Sequence, residues 1–229
     1  RIYPEKNLFS HIIGQIDDNN SGISGLEKTF DDRLKTSKEP LILSLDKDIQ
    51  YLVRKELIKF NKVFETKGSA GILMNVNNGE ILSLVSLPDY NPNKREKISD
   101  INYINRATKG VYEFGSVFKT FTLAAAFQER IIEPETRFAN LPKSLTCAGF
   151  PIREYDDKIP SDLTAEQILI RSGNIGSVRI GQKVGQEKFK LFLSKLGLLK
   201  KIDFDIEEVG KPLNFKWGKC PLATASFGH

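Results

Sequence analysis

The chain has 229 residues, 40% hydrophobic and 28% charged, with a formal net charge of +5 and a pI of about 9.0, a balance that suits one large globular domain or two small ones. No apolar run approaches the roughly 18–20 residues that cross a bilayer, and the lysines are scattered rather than gathered into a nucleic-acid footprint. Two cysteines are too few for a disulfide framework or a metal centre, and His11 and His229, at opposite ends, argue against a zinc enzyme or a His-based triad.

The sole methionine is Met74, so the chain is expected to be a fragment or a processed product. No signal peptide is evident, which would put any anchor upstream of Arg1. Cys147 and Cys220 can pair in an oxidising compartment.

Residues 1–40 read as the end of a separate segment. Ser10–Ile16 is apolar and Asp17–Gly22 is a turn cluster. Ser24 with Glu27 spells a capping box for a helix over 25–34. Leu41–Leu45 predicts a short strand. Asp46 then caps a helix with Ile49, Leu52, Val53, Leu57 and Phe60 at helical spacing. Ala70–Val76 and Glu80–Leu87 predict a hairpin around Asn77-Asn78-Gly79, where an Asn-Gly pair fits a tight turn. A polar loop leads from Asn93 to Asn105-Arg106-Ala107.

The next stretch is Tyr112-Glu113-Phe114-Gly115-Ser116-Val117-Phe118-Lys119, followed by Thr120–Phe127. The latter is apolar nearly all round and predicts a buried helix. Residues 133–136 and 148–157 read as loops or short strands. Thr164 with Gln167 caps a helix over 165–171, Ser172-Gly173-Asn174 interrupts, and helices follow over 175–184 and 187–196. Residues 213–229 read as irregular. The order is a hairpin followed by a helical block, an α+β arrangement.

Ser116 and Lys119 sit three residues apart, which on a helix places both on one face with Cβ atoms about 5–6 Å apart. A lysine walled into a buried site has its charged form disfavoured, and a neutral lysine can take a serine proton. Gly115 would let the backbone approach closely. The spacing alone says little, because Ser44 and Lys47 repeat it at a strand-to-helix turn. Ser172-Gly173-Asn174 is the only Ser-x-Asn in the chain, 56 residues after Ser116. Alone it would be a helix-capping turn. Together, a Ser-x-x-Lys heading a buried helix and a Ser-x-Asn between helices form two of the three elements of penicillin-binding proteins and β-lactamases.

On those motifs the sequence resembles class B penicillin-binding proteins, most of all the division-type, FtsI-type D,D-transpeptidases. His11–Gly14, Gly22–Phe30, Leu43–Asp46, Asn75–Leu82, Tyr90–Asn93 and Asn105–Ala107 extend the match over nearly the whole chain. This long stretch before Ser116 is absent from β-lactamases. The resemblance implies an incomplete transpeptidase fold: residues 1–40 end a non-catalytic pedestal, and 41–229 form the first part of the penicillin-binding domain. Ser116 is similar to the nucleophile that opens a D-Ala–D-Ala bond or a β-lactam ring. Lys119 resembles the general base, Ser172 the hydroxyl that relays a proton, and Asn174 the side chain that holds the substrate amide and touches Lys119. Backbone N–H groups, one of them from Ser116, would stabilise the oxyanion.

The implied partners are peptidoglycan stem peptides, β-lactam antibiotics, a membrane glycosyltransferase and other division proteins at the periplasmic face of the inner membrane. No cofactor or metal is implied. The third element, Lys-Thr-Gly or Lys-Ser-Gly, is absent from the 229 residues. In the family it lies on a later strand, and Ala225–His229 resembles a segment upstream of it. The hairpin would belong to a five-stranded antiparallel sheet with three strands beyond this chain, and the fragment alone should not acylate at a useful rate. A β-lactam sensor and a non-catalytic division scaffold are the alternatives. Residues 1–40 speak against the first, and intact Ser116, Lys119, Ser172 and Asn174 against the second.

Overall fold

The structure is a computed structural model and describes residues 1–94 and 100–229. The chain divides into two compact units, Arg1–Val111 with Lys201–Lys211, and Tyr112–Lys200 with Pro212–His229.

In the first unit, Ser10–Ile13 forms the short helix α1. Asp17 Oδ1 accepts from the N–H groups of Asn19 and Ser21 at 2.9 and 2.8 Å, closing the predicted turn. The helix expected over 25–34 is two helices, α2 (Gly25–Thr29) and α3 (Asp31–Thr36), divided at Phe30. The capping box does not form. Ser24 Oγ accepts from the Gln15 N–H at 3.1 Å, and buried Glu27 pairs with Arg1 at 2.6 Å. Tertiary partners take both groups that the local cap would have used. Phe30 packs against a small core of Ile12, Leu26, Leu84 and Ile206.

Leu41–Leu45 does not become a strand. Ser44 Oγ donates to Ile81 O at 2.8 Å and Asp46 N–H to Leu82 O at 2.9 Å, too few bonds for a ladder. Helix α4 (Lys47–Phe64) starts as predicted, with the Asp46 side chain accepting from the Ile49 N–H. Its buried face is narrower than the apolar stripe. Ile49, Val53 and Leu57 are half-buried, whereas Leu52 and Phe60 are exposed. At the centre of that face lies Gln50, 1% exposed. Its Nε2 donates to Leu8 O and Leu84 O, and its Oε1 accepts from Ser83 Oγ and the Leu84 N–H, all at 2.8–2.9 Å. A buried amide is tolerated because every one of those groups is satisfied.

Strand β1 (Ser69–Met74) pairs antiparallel with β2 (Ile81–Leu87), with a register shift between Leu73 and Met74. The connection is longer than the tight turn expected. Asn75 N–H bonds to Glu80 O, Gly79 N–H bonds to Asn75 O, and of Asn77-Asn78-Gly79 the glycine alone has positive φ, +81°. Ser83–Leu87 of β2 are buried, while Ile72, Leu73 and Met74 of β1 are exposed. Among the described residues this sheet has two strands, so one edge of β1 carries unpaired backbone groups. Of the polar loop expected before Asn105, residues 95–99 lie outside the described residues. Asp100–Tyr103 is a helix, α5.

In the second unit a 3-10 turn, Gly115–Phe118, runs straight into α6 (Lys119–Gln128). The expectation of a helix buried on every side is corrected here. Lys119, Thr122, Leu123, Ala125 and Ala126 are buried, while Thr120, Ala124 and Phe127 are exposed. Then come β3 (Arg137–Phe138), the hairpin of β4 (Ser144–Cys147) and β5 (Phe150–Arg153), and β6 (Leu163–Thr164), which pairs with β3. Helix α7 (Ala165–Ile170) has the full capping box read from Thr164 and Gln167. Helices α8 (Asn174–Val184) and α9 (Gln186–Lys195) follow within a residue of their predicted bounds. Residues 219–225, read as irregular, form α10 (Lys219–Ala225). Pro221 falls in its first turn, where a missing N–H costs nothing.

The core of this unit joins Leu123, Ala125 and Ala126 of α6 to Ile168, Ile175, Val178, Ile180, Phe189 and Leu222. Burying each larger side chain contributes roughly 1.5–3 kcal/mol. Cys147 and Cys220 form a disulfide, with their Cα atoms 5.3 Å apart, that ties the β4–β5 hairpin to α10. Among the described residues no helix is long and apolar enough to cross a membrane.

Candidate active site

The nucleophile candidate is placed by two glycines. Gly115 has φ +58°, a left-handed conformation that glycine adopts without strain. Its N–H donates to Gly228 O at 2.9 Å. The close approach expected at Gly115 occurs at its partner. A Cβ on Gly115 would meet nothing within 4 Å, whereas one on Gly228 would fall 1.8 Å from Gly115 O. The same segment is held from the side by Thr122 Oγ1, which donates to Ser226 O at 2.8 Å and is fully buried. Ser116 follows Gly115 on the 3-10 turn with its side chain exposed.

Lys119, one turn on, is 0% exposed. Its ammonium donates to Ser172 O, to Ser172 Oγ at 2.9 Å and to Asn174 Oδ1 at 2.7 Å. A protonated lysine has three N–H groups, and all three are used. Among the described residues, none of these bonds goes to Ser116. Burial pushes the Lys119 pKa down to about 8, against the opposing pull of the Glu154 carboxylate. Below that pH the ammonium form is complete in its bonds. Above it, the neutral amine keeps two N–H groups and gains a lone pair that can accept a hydroxyl proton.

Ser172 lies on the turn between α7 and α8 at φ +51°, a conformation costing a non-glycine residue roughly 1–3 kcal/mol. The turn is closed by Ser172 N–H to Leu169 O and Gly173 N–H to Ile168 O, both 2.9 Å. This backbone twist presents the Ser172 carbonyl and hydroxyl to the same ammonium. Neither Ser172 nor Asn174 caps α8, the role that their types favour in isolation.

The cap comes from Glu154, which sequence reading missed. Its carboxylate accepts from the N–H groups of Asn174 at 2.6 Å and Ile175 at 3.0 Å. Asn174 Nδ2 donates to Arg153 O at 2.8 Å, leaving Oδ1 on Lys119. The available signal was indirect. A helix opening on Gly173, without a side-chain acceptor at its start, needs one from elsewhere. The rival pair, Ser44 and Lys47, makes ordinary contacts. Ser44 Oγ bonds to Ile81 O and exposed Lys47 pairs with Glu5 at 2.6 Å. The structure therefore gathers Lys119, Ser172 and Asn174 into one hydrogen-bonded cluster and sets Ser116 a helical turn away.

A family model described as the penicillin binding protein transpeptidase domain matches residues 69–229. A probable peptidoglycan D,D-transpeptidase FtsI of Caulobacter vibrioides is 33% identical over 236 residues, covering 100% of this chain and 39% of that protein. The Escherichia coli peptidoglycan D,D-transpeptidase FtsI is 28% identical, covering 100% and 43%. The chain thus spans about two fifths of the length of these curated relatives. The crystal structure of a D,D-transpeptidase domain of a peptidoglycan glycosyltransferase from Eggerthella lenta superposes with a TM-score of 0.84 at 28% identity, covering 100% of this chain and 56% of that one.

Proposed function

We propose, because this chain belongs to the penicillin-binding protein transpeptidase family, class B and FtsI-type, that the whole protein cross-links peptidoglycan stem peptides through a Ser116 acyl-enzyme. The observation that carries this reading is the buried Lys119, hydrogen-bonded to both members of Ser172-x-Asn174 one turn from an exposed Ser116. Lys119, as the neutral amine, takes the Ser116 proton while Ser116 Oγ attacks the carbonyl of the penultimate D-Ala. The proton passes from Lys119 through the Ser172 hydroxyl to the departing D-Ala nitrogen, the peptide bond breaks, and an ester to Ser116 remains. The amine of a neighbouring stem peptide then attacks that ester, its proton returning by the same path, and Ser116 is regenerated.

Asn174 holds Lys119 through Oδ1, and its Nδ2 keeps a second hydrogen for a substrate carbonyl. The Ser116 N–H lies at the start of a helical turn, where the first donors lack intrahelical acceptors, and it serves as one oxyanion donor. A Lys-[Ser/Thr]-Gly strand supplies the other. Losing one such donor costs about 10²–10³ in rate. A β-lactam carbonyl enters the same position, its ring opens, and the ester persists.

The FtsI names of the relatives support a septal role, with a membrane glycosyltransferase and division proteins as partners at the periplasmic face of the inner membrane. Residues 1–40 would then end a pedestal, and 41–229 begin the penicillin-binding domain. Labelling the full-length protein with a fluorescent penicillin tests the reading. Wild type labels, and Ser116→Ala does not. A Ser116→Ala protein that labels like wild type, or a folded wild type that does not label, overturns it.

A further inference from the structure

We propose that Glu154 is a positioning residue for acylation, gripping the start of α8 so that Asn174 is aimed at Lys119. The inference rests on the acyl-enzyme reading above and concerns a residue outside both sequence motifs.

Helix α8 begins at Asn174, and Gly173 before it offers no side-chain acceptor. The first N–H groups of a helix have no intrahelical partner and carry the positive end of its dipole. Both Glu154 oxygens are spent there, one on the Asn174 N–H at 2.6 Å and one on the Ile175 N–H at 3.0 Å. The residue before Glu154 holds the other end of Asn174, since Arg153 O accepts from Asn174 Nδ2 at 2.8 Å. The end of β5 therefore grips the Asn174 backbone and side chain together. With Nδ2 so fixed, Oδ1 is the atom left to face Lys119, at 2.7 Å.

The grip is rigid at its base. Arg153 is laddered to Ser144, and that hairpin is joined to α10 through Cys147–Cys220. A loose strand end could not hold an amide to the tolerance that a reacting centre needs.

The charge acts separately. The groups that face Lys119 from the α7–α8 turn, Ser172 and Asn174, are uncharged. Glu154, from the β5 side, is the charge that acts on it among the described residues, and it favours the ammonium against burial. Removing that charge must shift the neutral amine to lower pH. Removing the hydrogen bonds must misplace Asn174 at every pH. The two roles thus leave different marks on one profile.

The test uses the full-length protein, with the acylation rate by a fluorescent penicillin measured against pH for wild type, Glu154→Gln, Glu154→Asp and Glu154→Ala. Lys119 titration is followed in parallel by the 13Cε NMR signal, assigned with Lys119→Arg. In Glu154→Gln the acid limb and the Lys119 titration move to lower pH together, and the plateau falls. In Glu154→Asp, which keeps the charge on a shorter stem, the limb stays while the plateau falls. In Glu154→Ala the plateau falls roughly tenfold or more. If the alanine variant does not fold, the near-isosteric glutamine and the aspartate carry the comparison. A limb and a Lys119 titration unmoved in Glu154→Gln overturn the electrostatic role, and a Glu154→Ala plateau within about twofold of wild type overturns the positioning role. The NMR titration reads Lys119 whether or not penicillin reacts, so failure of the acyl-enzyme reading and failure of this inference are separate results.

Discussion

Gly228→Ala tests how the nucleophile is placed. The added Cβ would lie 1.8 Å from Gly115 O, 2.5 Å from its carbonyl carbon and 2.9 Å from its Cα, at a residue whose φ is +90°. Real Cβ atoms essentially never approach closer than 3.0 Å, so Gly115 must retreat by more than about 1 Å from Gly228. Ser116 is the next residue and moves with it. A misplacement of about 1 Å at a reacting centre can cost about 10²-fold in rate, equivalent to about 2.7 kcal/mol of barrier. The backbone strain adds about 1–2 kcal/mol to the folded state, small beside the core of α6, α8 and α9, so the protein stays folded. The assay is the second-order acylation rate of the full-length protein with a fluorescent penicillin, paired with its melting temperature. Gly115→Ala is the control. Its Cβ meets nothing within 4 Å, so it adds only the φ penalty, and its rate falls less than about tenfold. The reasoning is refuted if Gly228→Ala, folded, acylates within about threefold of wild type, or if Gly115→Ala is the slower of the two.

Two further outcomes concern stability. Lys119 has a folded-state pKa of about 8 against 10.5 unperturbed. The unfolded chain therefore binds more protons between those values, and stability rises with pH across that window. The unfolding free energy of wild type relative to Lys119→Met should rise by about 3 kcal/mol from below pH 8 to above pH 10.5. Measuring the difference cancels Tyr3 and Tyr90, whose phenols burial pushes up to about 12 and which act in the opposite sense above pH 10. Urea titrations of both proteins check it, and a gap independent of pH sinks the assignment. Gln50→Leu strands the Leu84 N–H, the Leu84 and Leu8 carbonyls and the Ser83 hydroxyl in a buried site. The expected loss is about 3 kcal/mol in urea unfolding, and a loss below about 1 kcal/mol would show that the network carries little.

Helices α4, α7, α8 and α9 were legible because caps and apolar spacing are short-range properties. Asp46 and Thr164 find their partners three residues away. The hairpin was legible for the same reason, although its turn was misjudged because φ at Asn77 and Asn78 depends on how the β1–β2 ladder closes. Where a local signal met a tertiary competitor, the signal failed. Ser24 gave its hydroxyl to Gln15, Glu27 its charge to Arg1, and the helix expected over 25–34 became two. Residues 219–225, read as irregular, form α10, and Pro221 in its first turn breaks nothing.

The residue types and spacings alone determined that a Ser-x-x-Lys and a Ser-x-Asn exist, and how they resemble a transpeptidase. They could not rank Ser116–Lys119 above Ser44–Lys47 on spacing, because i and i+3 share a helix face wherever a helix forms. Only the tertiary structure decided that Lys119 is buried among acceptors while Lys47 is solvated, that Cys147 meets Cys220, and that Gly228 crowds Gly115. It alone brought Glu154 to the start of α8. Each of these pairings joins residues 20 to 113 positions apart, and contacts at that range are settled by packing a whole core rather than by neighbours along the chain.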